Sequence, residues 1–246
     1  MNFSFSKFIC SVEDFYLKLN KNKFKSVAGL PNGFTVTYHA GAMHTVPNSI
    51  DSVRAALEDD AQIVEFDVSF RPDGTAVIIH NSNPGASQGE FLENALAVVA
   101  EHDKCRINLD IKSTKNLGAV DDLVKLHGLS DRVFYTGVFE DWVETVKSNS
   151  EIPYYLNYNV SAEEVADKAV LQAIADKVKN YGAIGINSNF RNATKEFVDV
   201  MHKNGLLVSL WTVNKIGDMP RVLATCPDNM TTKKPHLLKK LVFNQK

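Results

Sequence analysis

Cysteine is scarce in this chain. Its 246 residues contain Cys10, Cys105 and Cys226 only, far apart and odd in number. That argues against a disulfide framework and against a cysteine zinc site. Long apolar runs are missing as well. None approaches the roughly 20 residues that span a bilayer, so stable membrane insertion is not expected. At the N-terminus the apolar core of a signal peptide is lacking, because Glu13 and Asp14 arrive too early; the chain reads as cytoplasmic. Charge of one sign is not in excess either: 27 Lys and Arg face 29 Asp and Glu, for a net charge of −2. No general attraction to nucleic acid follows from that balance. There is no internal repeat, no low-complexity segment and no Pro- or Gly-rich linker, so one domain is expected. No feature specifies an oligomeric state.

What is present is alternation. Strand-like stretches lie at Phe34–His39, Ile63–Phe70, Arg106–Ile111, Val133–Gly137, Pro153–Tyr158, Ala183–Asn187, Leu206–Val213 and Asn229–Thr232. Helix-like stretches separate them, at Ser49–Asp59, Gly89–His102, Asn116–His127, Phe139–Lys147, Ala162–Tyr181, Ala193–Asn204 and Ile216–Ala224. Strands alternating with helices imply a parallel sheet, and eight of them in a chain of this length imply an α/β fold closed as a (β/α)8 TIM barrel. The barrel is expected over residues 34–246, behind an N-terminal helical extension at 1–33. Within that extension, residues 12–24 can form an amphipathic helix with Val12, Phe15, Tyr16 and Leu19 on one stripe, plugging the bottom of the fold. Lys233, Lys234, Lys239, Lys240 and Lys246 read as a solvated face near the C-terminus.

One stretch breaks the alternation. Ala76–His80 follows the second strand after only Arg71–Thr75. A parallel crossover needs about a dozen residues, so this pair must be an antiparallel hairpin, a β-hairpin extension after the second strand. A turn centred on Asp73-Gly74 sets position 67 opposite position 80 and returns His80 to the side of Asp67.

Side chains alternate faces along a strand. In the second strand Val64, Phe66 and Val68 suit the helix layer. Glu65 and Asp67 then point into the barrel near the strand's C-terminal end, where barrel enzymes place their sites. In the next barrel strand Asn108, Asp110 and Lys112 face the same way, and His39 ends the first. Three acids against one lysine leave excess negative charge in a low-dielectric place. A divalent cation relieves it, and all-oxygen ligands suit Mg²⁺ or Ca²⁺. Glu65, Asp67 and Asp110 are therefore the candidate ligands. His39 and His80 converge on the same carboxylates and can serve as acid and base. His44, in the loop after the first strand, is a candidate substrate contact. His102, His127, His202 and His236 are expected at the surface.

These residues resemble the glycerophosphodiester phosphodiesterase family. The matching stretches are His39-Ala40-Gly41, Pro47-Asn48-Ser49, Glu65-Phe66-Asp67-Val68, Asp73-Gly74, His80-Asn81, Asp110-Ile111-Lys112, Trp211-Thr212-Val213-Asn214 and Thr232-Lys233-Lys234-Pro235. Each is short, but they keep the family's order over residues 35–238. The resemblance implies metal-assisted hydrolysis of a small phosphodiester on a (β/α)8 barrel. It implies that His39 and His80 are catalytic, that Glu65, Asp67 and Asp110 hold the metal, that Lys112 contacts phosphate, and that Trp211 forms part of the substrate wall.

The departures bear on substrate. Ala40 stands where the family has an arginine that contacts phosphate, which removes a bidentate contact. Pro47, Asn81 and Lys233 replace family acids, and Asp110 replaces a glutamate. Two other readings follow. Asp-x-Lys without the arginine is also similar to phospholipase D toxins of this barrel type, which release a head group and form a cyclic phosphate; the disulfide loop expected near the second histidine is missing here. The chain can also be read as a non-catalytic barrel that binds a phosphorylated ligand, although such a site needs no acid–base pair.

Overall fold

The computed structural model of the chain describes residues 9–13, 15 and 30–242. Among them are ten strands: β1 (Thr35–Tyr38), β2 (Ile63–Phe70), β3 (Ala76–Ile78), β4 (Glu90–Phe91), β5 (Arg106–Ile111), β6 (Val133–Val138), β7 (Tyr154–Asn157), β8 (Gly185–Asn189), β9 (Leu207–Trp211) and β10 (Asn229–Thr232). Eight of these run parallel, in the order β1-β10-β9-β8-β7-β6-β5-β2, and β1 also pairs with β2 to close the ring. The expected TIM barrel is the observed one. The strand boundaries of β2, β5 and β10 coincide with those read from the sequence.

Every position of β2 is buried. Val64, Phe66 and Val68 join the large apolar cluster shared with the helices. Ile63 instead packs with Phe134 and Tyr155 in a small separate cluster. The two rings meet edge-to-face, 5.4 Å between centroids. Other buried polar side chains pair with one another: Thr136 donates to Asn108 at 2.8 Å and Asn187 to Asn157 at 3.0 Å. Such pairing keeps buried polar atoms satisfied.

The hairpin forms, with a different register. Arg71 N donates to Thr75 O at 3.0 Å and Gly74 N to Arg71 O at 2.9 Å. The loop is therefore the three residues Pro72-Asp73-Gly74, with Gly74 at φ 89°. A three-residue loop with glycine in the left-handed region shifts the pairing by one relative to a two-residue turn. Val68 pairs with Ile78 and Phe70 with Ala76, and Ile79 N donates to Asp67 O at 2.9 Å. Position 67 thus faces 79 rather than 80, and β3 ends at Ile78 rather than His80.

Two helices differ from expectation for local reasons. Glu90 and Phe91 pair with Ile78 and Val77 as β4, so the helix starts only at Leu92 and runs to Ala100. The long helix expected at Ala162–Tyr181 is interrupted at Asp167, whose carboxylate accepts from Ala169 N and Val170 N and starts a new helix over Lys168–Asn180.

Of the N-terminal segment only residues 9–13 and 15 are described. Residues 9–13 are helical. Glu13 contacts His44, Lys234 and His236, which follow the C-terminal ends of β1 and β10. The described residues 9–13 therefore dock on the mouth side of the barrel, and most of the helix expected over 12–24 lies outside the described residues. Val12 and Phe15 are exposed, and Tyr16 and Leu19 lie outside the described residues. His236, expected at the surface, is buried. The lysines are not one solvated face either: Lys234 pairs with Glu13, and Lys239 pairs with Asp59 at 3.3 Å. Lys246 lies outside the described residues. No described helix is long and apolar enough to cross a membrane, and none of the three cysteines is in a disulfide.

Candidate active site

Register builds the site. In the β2–β5 ladder Glu65 lies beside Asn108 and Asp67 beside Asp110. One carboxylate oxygen from each of Glu65, Asp67 and Asp110 comes within 4.8 Å of the others. Glu65 and Asp67 are each 4% exposed. Lys112 Nζ lies 3.0 Å from Asp67 Oδ1 and 2.6 Å from Asp110 Oδ2.

Burial pushes the Glu65 carboxyl well above the ordinary carboxylate range, and the charges of Asp67 and Asp110 push it further. At Asp67 burial acts in the same upward sense but is outweighed by Lys112 and by hydrogen bonds from Asn48 and Lys112, so its pKa is lowered. Burial depresses Lys112, and Asp110 and Asp67 more than reverse this.

His39 follows β1. Its Nδ1 faces the Ala40 carbonyl at 3.1 Å. A nitrogen facing a carbonyl must donate, which leaves Nε2 with its lone pair. Burial lowers the His39 pKa. Ala40 N in turn donates to Glu65 Oε2 at 2.6 Å, so the backbone of one residue contacts both the histidine and the carboxylate. Ala40 is buried and lines a small cavity of about 10 Å³ behind β1 and β2. His80, by contrast, is 81% exposed at its side chain, with Nδ1 3.3 Å from Asp67 Oδ2. The hairpin thus delivers His80 to Asp67 despite the shifted register, because a side chain one residue on still reaches.

His39, Glu65, Asp67, His80, Asp110, Lys112 and Trp211 line one open cavity of about 300 Å³ at the C-terminal ends of the strands. His44 is not among the residues lining it. Its Nε2 turns to Glu13 Oε2 at 3.4 Å. Three residues at or beside the site were given no role from sequence. Asn48 donates from Nδ2 to Asp67 Oδ2 at 2.7 Å and accepts at Oδ1 from Asp67 N at 2.9 Å. Its signal was its place between Pro47 and the helix cap Ser49. Phe139 and Trp142 form an edge-to-face pair, 6.4 Å between centroids, that also borders the cavity. Nothing in the local pattern marked them beyond their position after a strand end.

The residues fit a bound cation. Asp110 Oδ1 is buried without a hydrogen-bond partner. Among the described residues Lys112 is the one lysine paired with these carboxylates, and an orphaned carboxylate oxygen among them is what a missing positive charge leaves behind. The donors are all oxygen, which suits a hard divalent ion such as Mg²⁺ or Ca²⁺.

Comparison with known proteins finds relatives of the whole barrel. Residues 39–89 and 86–237 match the model of the glycerophosphoryl diester phosphodiesterase family. A glycerophosphodiester phosphodiesterase of Caldanaerobacter subterraneus subsp. tengcongensis is 25% identical over 235 residues, covering 84% of this chain and 97% of that protein. An Oleispira antarctica phosphodiesterase, solved with the product sn-glycerol-3-phosphate, superposes with a TM-score of 0.70 at 16% identity, covering 86% of this chain and 96% of that one. A glycerophosphodiester phosphodiesterase of Parabacteroides distasonis superposes with a TM-score of 0.69 at 19% identity, over 87% and 98%.

Proposed function

Because the chain belongs to the glycerophosphoryl diester phosphodiesterase family and is a phosphoric diester hydrolase, we propose that its barrel mouth cleaves glycerophosphodiesters, or a closely related small phosphodiester, by paired histidines at a divalent cation. The observation that carries this reading is the convergence of Glu65, Asp67 and Asp110 within 4.8 Å, flanked by His39 and His80.

Glu65, Asp67 and Asp110 would hold the ion, Mg²⁺ or Ca²⁺. Bound there, it would neutralise phosphate charge. The chain's own groups do the rest. His39 presents Nε2 as base, because Nδ1 is tied to the Ala40 carbonyl and burial favours the neutral ring. It takes the proton of the attacking hydroxyl. His80 stands in solvent at the rim with Nδ1 toward Asp67. Asp67 orients the ring and complements a proton on it, so His80 gives a proton to the leaving alkoxide. Lys112, anchored by Asp67 and Asp110, contributes positive charge beside the phosphate. Trp211 bounds the substrate. Ala40 offers no guanidinium, so recognition of the phosphate falls to Lys112 and the cation.

The test is product analysis. Glycerophosphodiesters incubated with the protein and Mg²⁺ or Ca²⁺ are followed by ³¹P NMR, before and after chelation. A phosphomonoester that appears only with the cation is expected. A cyclic phosphate would move the reading to head-group release by an internal hydroxyl. No turnover of any phosphodiester, with tight binding of phosphorylated ligands, would make the barrel a binder.

A further inference from the structure

A second set of donors, chemically unlike the first, meets outside the barrel mouth. Cys10 and Glu13 are three residues apart in a helical stretch, which places them on one face, about one turn apart. His44 arrives from the loop after β1. One ligand atom from each, the Cys10 sulfur, a Glu13 carboxylate oxygen and a His44 ring nitrogen, lies within 4.8 Å of the other two. Cys10 is 7% exposed. His44 Nε2 is 3.4 Å and His236 Nε2 3.0 Å from the same oxygen, Glu13 Oε2, while Lys234 pairs with Oε1.

A salt bridge that docks the N-terminal segment needs only Glu13 and Lys234. It does not require a thiol and two imidazoles around the opposite oxygen. Thiolate, imidazole and carboxylate together are the donor set of a tetrahedral zinc site. They differ in kind from the all-oxygen barrel ligands, so the two sites sort metals by softness. We propose that Cys10, Glu13 and His44 form a second metal site, selective for Zn²⁺, that clamps the N-terminal helix to the loop carrying Asn48. Water fills the fourth position. Lys234 and His236 fix the Glu13 carboxylate from outside, as partners of a ligating group do. On binding, the Cys10 thiol releases its proton to solvent and the sulfur coordinates as thiolate. The wide spacing of the cysteines hides such a site from sequence, because only one ligand is a cysteine and the third is His44, brought in by the fold.

Cobalt is the probe. The full chain is stripped of metal and titrated with Co²⁺ in excess Mg²⁺, which occupies the barrel carboxylates. One equivalent should produce tetrahedral visible bands and a near-ultraviolet thiolate-to-cobalt band, both bleached by Zn²⁺. Asp110→Asn should keep the thiolate band. Cys10→Ser should lose it, and His44→Gln should lose or strongly weaken it. His236→Gln should reduce Zn²⁺ affinity on the order of 10–100-fold. On the unaltered chain, Zn²⁺ should raise the melting temperature in the presence of saturating Mg²⁺, a readout that needs no variant to fold. Absence of a thiolate band in the unaltered chain, or its persistence in both Cys10→Ser and His44→Gln, would overturn the proposal and leave the cluster an ion-paired clamp.

Discussion

Asn48 and Asp67 hold each other by two hydrogen bonds, Asn48 Nδ2 to Asp67 Oδ2 at 2.7 Å and Asp67 N to Asn48 Oδ1 at 2.9 Å. The pair fixes one oxygen of a candidate ligand and leaves the other to Lys112. Asn48 does this from φ 54°, a conformation that asparagine tolerates better than most residues. Replacement by Ala removes the bonds and adds backbone strain; replacement by Gly removes the bonds without it. Asn48→Gly is therefore the cleaner probe. Calorimetric titration of Mg²⁺ or Ca²⁺ should show affinity reduced on the order of 10–100-fold, with Asn48→Ala additionally less stable to denaturant. Unchanged affinity in Asn48→Gly would show that Asp67 needs no such support.

Gly137 tests the same cluster from the neighbouring strand. It lies at φ 78°, and a Cβ there would sit 2.5 Å from Asp110 Oδ1 and also collide with the Ile111 carbonyl. Gly137→Ala must displace the backbone or Asp110. Overpacking of this kind costs about 1–3 kcal/mol. Denaturant midpoints should fall accordingly, and cation affinity should fall with them. A variant of normal stability and normal cation binding would contradict the observed packing.

Much of this site was legible in the sequence because strand alternation is rigid. Glu65, Asp67 and Asp110 could be placed on one face from period alone, and the ladder between β2 and β5 then brought them level. The hairpin to His80 was legible from Asp73-Gly74, although its loop length, and hence its register, was not. A two-residue and a three-residue loop share the same Asp-Gly signal. Loops were the opaque part. His44 turns to Glu13, which lies 31 residues earlier, and the pairing of Asn48 with Asp67 spans 19. No local pattern encodes either. The docking of Glu13 was hidden for the same reason: it is held by Lys234 and His236, from the far end of the chain.

Cation binding should depend on pH in a definite direction. Without a cation, Glu65 carries a proton well above its ordinary value of 4.5, because of burial first and of Asp67 and Asp110 next. A group whose folded pKa is raised lends stability below its unfolded value and loses it as pH rises through the folded one. The cation-free protein should therefore lose this contribution as pH rises above 4.5, and the cation should restore it by replacing the proton. Titrations in buffers of different ionisation enthalpy should show proton release and tighter binding at higher pH. Affinity independent of pH, with no proton released, would exclude Glu65 as the protonated ligand.

The two histidines should be separable by leaving group. His39 is tied at Nδ1 to the Ala40 carbonyl at 3.1 Å and is partly buried, which lowers its pKa below 6.5. It therefore stays neutral to lower pH than an ordinary histidine. The acid limb of kcat/KM, which reports the free enzyme's base, should lie below about pH 6.5. His80 is exposed at the rim with Asp67 as its carboxylate neighbour. As the acid, it matters only when the departing alkoxide needs a proton. Each histidine-to-alanine change should reduce turnover of an alkyl phosphodiester on the order of 10²–10⁴-fold. The double variant should fall by much less than the product of the two, since the pair serves one transition state. A nitrophenyl phosphodiester departs without protonation. His80→Ala should recover most of its rate on that substrate and lose the alkaline limb of the pH profile; His39→Ala should do neither. Rescue of His39→Ala instead would exchange the two roles, and near-normal rates for both variants on the alkyl substrate would leave the histidines structural.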